Sequence, residues 1–172
     1  LLIFVLVTWS LAQGYFPQRY PAWDATLSWS IALLASLLFF ASVLIHELAH
    51  ALVALERGLP VHDIVLFVFG GVAELTEEPE APATEFKMAL IGPLVSFSLA
   101  LGFGIIWLFT RDSHKPVAAL TGYLALMNGR LGLFNLIPGF PMDGGRVLRS
   151  VLWRMTRSLD RATYWATSVG QA

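Results

Sequence analysis

The sequence predicts an all-α membrane protein, a polytopic transmembrane helix bundle that carries one small membrane-associated β-hairpin. Three observations lead there. Of the 172 residues, 56% are hydrophobic and only 13% charged, whereas globular domains carry about 25% charged residues. The apolar excess, a mean hydropathy of +0.67, is gathered into long runs on the scale of the roughly 20 residues that cross a bilayer. Between two of these runs lies a β-branched, aromatic stretch followed by paired glycines, the pattern of a hairpin.

The first run, about residues 1–12, is too short to cross and reads as the end of a span that begins earlier. A signal-peptide core is the competing reading, but Gln13-Gly14-Tyr15-Phe16-Pro17 offers no small-residue cleavage site. A loop around Pro17, Pro21 and Asp24 leads into a helix over about 27–56, which Gly58 and Pro60 bring to an end. The hairpin occupies about 62–75. Ile64-Val65-Leu66-Phe67-Val68-Phe69 forms its first strand, Gly70-Gly71 its turn, and Val72-Ala73-Glu74-Leu75 its return.

An acidic, proline-punctuated stretch separates the hairpin from a third helix, about 84–110. Gly92, Ser96, Ala100 and Gly104 recur there at four-residue intervals, a small-residue stripe suited to close helix packing. Pro116 suits the first turn of a fourth helix, about 116–136. Ile137 to Pro141 break the path before a basic amphipathic helix over about 144–163. Val147, Leu148, Val151, Leu152, Met155 and Leu159 form its apolar face, and Arg146, Arg149, Arg154, Arg157 and Arg161 much of the rest. Such a helix lies well on an anionic membrane surface. The whole reads as a single domain, cut from a longer membrane protein at both ends.

Composition also excludes. A net charge of −1 gives no reason to expect nucleic acid as a partner, and the absence of cysteine removes disulfides and thiolate metal sites. Arg57, Lys87 and the five arginines after Asp143 fall on one side of the predicted spans, and Arg19, Arg111 and Lys115 on the other. The positive-inside rule puts the heavier side in the cytoplasm, together with the exit of the 27–56 helix.

That helix ends its apolar run in His46-Glu47-Leu48-Ala49-His50. Ionisable groups at bilayer depth are costly, so three in one turn argue for function. Positions i and i+4 share a helix face, and two histidines so placed can grip one metal ion. Zinc held this way needs a third protein ligand and an open position. It lowers the pKa of water from 15.7 to about 7, and Glu47 can take the proton. The bland alternative, a chance match at a helix end, would leave three buried polar groups poorly satisfied. For the third ligand, His62 and His114 sit in predicted loops, His114 on the opposite side of the membrane, and Glu56 lies too far along the same helix. Asp143 follows a helix break on the same side as His50 and is the better candidate, although an aspartate there also suits a helix N-cap.

Four segments together carry a resemblance: His46 to His50, Phe69-Gly70-Gly71-Val72-Ala73, Gly92-Pro93, and Asn135-Leu136-Ile137-Pro138-Gly139-Phe140-Pro141-Met142-Asp143-Gly144-Gly145-Arg146. The chain from about 29 to 172 resembles the site-2 protease family of intramembrane zinc metalloproteases, in its compact form without an inserted PDZ domain. The resemblance implies one zinc ion per chain on His46, His50 and Asp143, with Glu47 as catalytic base. It implies Asn135 near the site, holding the substrate carbonyl or oxyanion. The hairpin, through Phe69, Gly70, Gly71 and Val72, would pair with an unwound substrate segment. An amide that merely satisfies the helix end, and a hairpin that merely packs over the site, are the structural alternatives.

The function expected is an endopeptidase cutting a membrane-anchored protein in or near its transmembrane segment, within the lipid bilayer. The family implies regulated intramembrane proteolysis in the cell membrane of a prokaryote, an active site opening toward the cytoplasm, and a C-terminal regulatory domain beyond this segment. An inactive metal-binding scaffold and a divalent-metal transporter are the rivals. Glu47 counts against the first, and the scarcity of polar positions along the spans (Asn128, Arg130, Asn135) against the second. The sequence leaves the role of Arg130 and the oligomeric state open.

Overall fold

The computed structural model describes residues 1–59, 61–67, 70–75 and 81–170, with backbone alone for 61–67 and 70–75. Helix α1 (Leu2–Ser10) passes through a wide helical turn (Leu11–Tyr15) into α2 (Phe16–Arg19). The loop predicted around Pro17 is therefore helical. Pro17 stands in the first turn of α2, directly after the wide turn, and has no N–H to give the helix ladder. Asp24 caps the next helix, its Oδ1 accepting the Leu27 N–H at 2.7 Å. Helix α3 (Ala25–Glu56) ends at Gly58, whose φ of +76° few other residues tolerate.

Backbone pairing between β1 (Val61–Phe67) and β2 (Gly70–Leu75) is antiparallel. Gly70 and Gly71, predicted as the turn, lie in β2 opposite Phe67 and Leu66. Residues 68 and 69 between the strands, Phe69 included, lie outside the described residues. Helices α4 (Pro82–Thr110) and α5 (Lys115–Asn135) follow the predicted third and fourth helices within two residues. Helices α3, α4 and α5 are each long and apolar enough to cross a membrane.

The predicted amphipathic helix over 144–163 is instead two helices, α6 (Asp143–Thr156) and α7 (Leu159–Gly170). Arg157 turns left-handed at φ 55° and ends α6. Ser158 restarts the chain, its carbonyl accepting the Ala162 N–H at 3.2 Å and its Oγ the Arg161 N–H at 3.4 Å. Of the predicted apolar face, Val151 and Met155 are exposed and Val147, Leu148 and Leu152 half-buried, whereas Gly144, Gly145, Arg149 and Ser150 are buried.

The chain forms two compact units, Leu1–Val43 with Leu99–Asn128, and Leu44–Ser98 with Gly129–Ala172. In the first, the buried positions of α3 are small: Ser28, Ala32, Ala35, Ser36 and Ser42. Its leucines at 33, 34 and 37 face outward. Small residues inside and large apolar residues outside is the arrangement of helices packed in lipid, where close backbone approach replaces the hydrophobic effect as the driving force. An aromatic cluster fills the remaining space. Phe16, fully buried, stacks on Trp23 at 6.0 Å, and Tyr15 meets Tyr123 at 5.4 Å. Asn128, fully buried in α5, donates to the Leu124 carbonyl at 2.9 Å and to Ser42 Oγ at 3.3 Å. The flagged polar position is thus bonded within the bundle. Arg130, by contrast, is exposed.

In the second unit the segment between α5 and α6 is folded tightly. A Cβ on Gly144 would collide with the carbonyl oxygens of Leu136 and Ile137, and one on Gly145 would lie 2.7 Å from the Gly139 carbonyl carbon. These obstacles are backbone atoms and cannot swing away. Gly144→Ala is therefore expected to lower stability by about 2 kcal/mol, read as a fall in the thermal unfolding midpoint of the purified protein. A midpoint equal to that of the parent would show that the segment has room to spare.

Candidate metal centre

The ligand-bearing stretch of α3 lies in the second unit. One helical turn puts His46 and His50 on a common face, with ring centroids 4.9 Å apart. Both are buried, 2% and 6% exposed. Asp143, the first residue of α6, turns its carboxylate onto them. Its Oδ2 lies 3.1 Å from His46 Nε2 and 3.1 Å from His50 Nε2, and the two Nε2 atoms are 3.2 Å apart. The residue before it, Met142, is the N-cap of α6 and makes no side-chain cap bond. The carboxylate of Asp143 thus faces the histidines and does not cap its helix.

These three residues are the group that could hold a metal ion among the described residues. Their spacing fits zinc. Ligands about 2.0–2.1 Å from a tetrahedral ion are separated by roughly 3.3 Å, close to the observed triangle. The donor chemistry fits as well. His50 Nδ1 lies 2.6 Å from the Met88 carbonyl oxygen, which can only accept, so Nδ1 carries the proton and the neutral ring presents a lone pair at Nε2. His46 Nδ1 pairs with Ser96 Oγ at 2.9 Å. With the His46 proton likewise on Nδ1, toward Ser96, both Nε2 atoms and the carboxylate oxygen would turn lone pairs to one point, and a metal ion there would satisfy all three.

Helix α4 supplies much of the frame. Gly92 faces both rings, and a Cβ there would lie 2.6 Å from His46 Nε2 and closer still to His50 Nε2. Pro93 has no N–H for the Ala89 carbonyl, which loosens the helix ladder beside the Met88 carbonyl that His50 uses. The stripe Gly92, Ser96, Ala100, Gly104 therefore has two roles. Its first half makes room for the histidines and orients one of them, while a Cβ on Gly104 would come within 4.0 Å of Ala125 of α5. Sequence reasoning assigned the whole stripe to packing. Gly92-Pro93 was singled out there as part of the resemblance, but its place beside the histidines, with Ser96 one turn on, was not assigned.

Of the other predicted residues, Glu47 is 5% exposed and lies on α3 beside His46. Asn135 ends α5, 8% exposed, and gives one amide hydrogen to the Leu131 carbonyl at 3.0 Å. His114 is exposed in the turn before α5 and does not join the cluster. The side chain of His62 lies outside the described residues. Gly70, Gly71 and Val72 are described as strand backbone and Phe69 not at all.

Comparison with known proteins agrees with this arrangement. The model of peptidase family M50 matches residues 34–114 and 104–172. A protein of Synechocystis sp. named as a candidate zinc metalloprotease is 43% identical over 99% of this chain and 44% of its own length. A zinc metalloprotease of Methanocaldococcus jannaschii is 39% identical over 79% of this chain and 39% of its own length. The chain thus spans less than half the length of these relatives. Among solved structures, the site-2 protease from Methanocaldococcus jannaschii superposes with a TM-score of 0.63 at 30% identity, covering 95% of this chain and 70% of that one. With its three apolar spans and its His-Glu-Leu-Ala-His helix, the chain belongs to peptidase family M50, the site-2 protease family.

Proposed function

We propose that this chain is the metalloprotease domain of an intramembrane zinc endopeptidase, with His46, His50 and Asp143 as its zinc ligands. The observation that carries the reading is the convergence of two buried histidines and the half-buried Asp143 carboxylate on one point, with Glu47 next to the first histidine. When bound, zinc supplies a Lewis acid that makes water nucleophilic near neutral pH. Glu47 takes the proton from the attacking water as its oxygen joins the carbonyl carbon of the substrate. It returns that proton to the amide nitrogen as the C–N bond breaks. Ser96 and the Met88 carbonyl keep the two rings turned toward the centre. Asn135, with its second amide hydrogen, holds the substrate carbonyl as negative charge grows on its oxygen.

The substrate is a membrane-anchored protein cut in or near its transmembrane segment. A peptide bond inside a helix is sheltered by its own hydrogen bonds, so the substrate must unwind before it can react, and its freed backbone groups need partners within the lipid. We assign that role to a membrane-associated hairpin formed by β1 and β2, whose edge at Phe69, Gly70, Gly71 and Val72 would receive an extended segment. The antiparallel pairing of the two strands supports this reading. The charge distribution supports a site that opens toward the cytoplasm of a prokaryotic cell, where the freed product would act as a regulator.

Variants separate these roles. Glu47→Gln is expected to retain one zinc per chain yet lose at least 100-fold in cleavage of a membrane-anchored substrate. Asp143→Asn should lose the metal, and Asn135→Ala should lower kcat with zinc intact, all read by elemental analysis beside a cleavage assay. A Glu47→Gln protein that still cuts would refute the base assignment. Metal uptake by vesicles containing that variant would mark a carrier, and zinc without cleavage in the parent an inactive scaffold. A photoreactive phenylalanine analogue at position 69 should capture substrate in the Glu47→Gln background, and a cysteine at position 57 should be labelled from the cytoplasm only. Capture from position 109 but not 69, or labelling from outside, would contradict the hairpin and the orientation respectively.

A further inference from the structure

We propose that Arg149 is a positioning residue for the metal centre, acting through Asp143 by locking the start of α6 onto α4. The inference rests on the zinc reading above and goes beyond it. Arg149 belongs to the basic set predicted for a solvated helix face, yet it is only 9% exposed and its partner Glu85 is fully buried. Its Nε donates to Glu85 Oε1 at 2.6 Å, and a terminal guanidinium nitrogen pairs with the same oxygen. Glu85 Oε2 has no hydrogen-bond partner among the described residues. Stability alone is a poor reason to keep such a pair. Buried ion pairs are often no better than apolar residues of similar size, and an unmet oxygen makes this one worse. Fixing register is the best-attested use of a buried charge pair.

What it registers follows from its position. Glu85, Met88, Gly92 and Ser96 are spaced by three, four and four residues, so they share one face of α4. Ser96 orients His46, the Met88 carbonyl orients His50, and Gly92 makes room for both rings. Glu85 extends the same face by one turn and binds α6 through Arg149. The guanidinium carbon also sits 5.7 Å from the centre of the Phe140 ring, in the segment that enters α6. Arg149 thus holds the chain three residues before Asp143 and the helix six residues after it. One face of one helix sets all three ligands, two directly and the third through this clamp.

The test uses the full-length enzyme in detergent, its zinc affinity measured by chelator competition and its cobalt-substituted form by absorption spectrum. Arg149→Met is expected to weaken zinc binding about 10- to 100-fold, the range for lost partners of metal ligands. Because that variant strands a buried carboxylate, the double variant Glu85→Gln with Arg149→Met is measured beside it. It should melt near the parent in the metal-free state, yet keep the weakened affinity and show a cobalt spectrum shifted toward that of Asp143→Asn. Parental affinity and spectrum in the double variant would overturn the proposal. So would a loss of affinity that merely tracks a lower melting point, since that is a structural role only. Failure of the parent to bind zinc would instead refute the metal site itself, and the clamp with it.

Discussion

Two imidazole nitrogens and a carboxylate oxygen, each about 3.1–3.2 Å from the others, converge on one point with the spacing that a metal ion would fit. Much of the second unit answers to that constraint. The rings need room, and Gly92 provides it by having no side chain. They need fixed tautomers, and a backbone carbonyl and a hydroxyl on α4 supply partners for their outer nitrogens. The carboxylate comes from 93 residues beyond His50, so the segment that delivers it must be rigid. The collision that any side chain at Gly144 would meet explains that rigidity. A cluster held this way by its surroundings has fixed geometry, which is what a reproducible centre needs.

The membrane changes what holds such a frame together. Leucine gains little by leaving lipid for a protein interior, so the spans use small residues to bring backbones close. Ala32, Ala35 and Ser36 of α3 are buried while its leucines at 33, 34 and 37 face outward, the reverse of a soluble helix. Several polar groups inside the spans are hydrogen-bonded within the protein. Asn128 is bonded to Ser42 and to its own helix, and the histidines are bonded to α4 and Asp143. In α6 the logic shifts again, with Val151 and Met155 exposed while an arginine is buried.

Helix α4 unites these themes. Its Gly-Pro pair, its serine and its first-turn glutamate lie on one face, and that face touches both histidines directly and α6 through a salt bridge. The distances bring the His-Glu-Leu-Ala-His and Asp-Gly-Gly segments together. The part played by α4 emerges only from the distances.

Much was legible without coordinates. Long apolar runs give spans because their length must match the bilayer, and His46 with His50 must share a face because the helix period is 3.6 residues. Asp143 could be singled out as a candidate, since a helix break on the correct side of the membrane narrows the choice of third ligand. These are consequences of local geometry and of the lipid as solvent. Tertiary structure alone decided that Ser96 and Met88 orient the rings, that Arg149 leaves the polar face for a buried carboxylate, and that α6 ends at Arg157 once Ser158 caps a new helix. Those outcomes depend on which atoms of distant segments approach within about 3 Å. Hydropathy and periodicity describe one element at a time and carry no record of the neighbour it will meet.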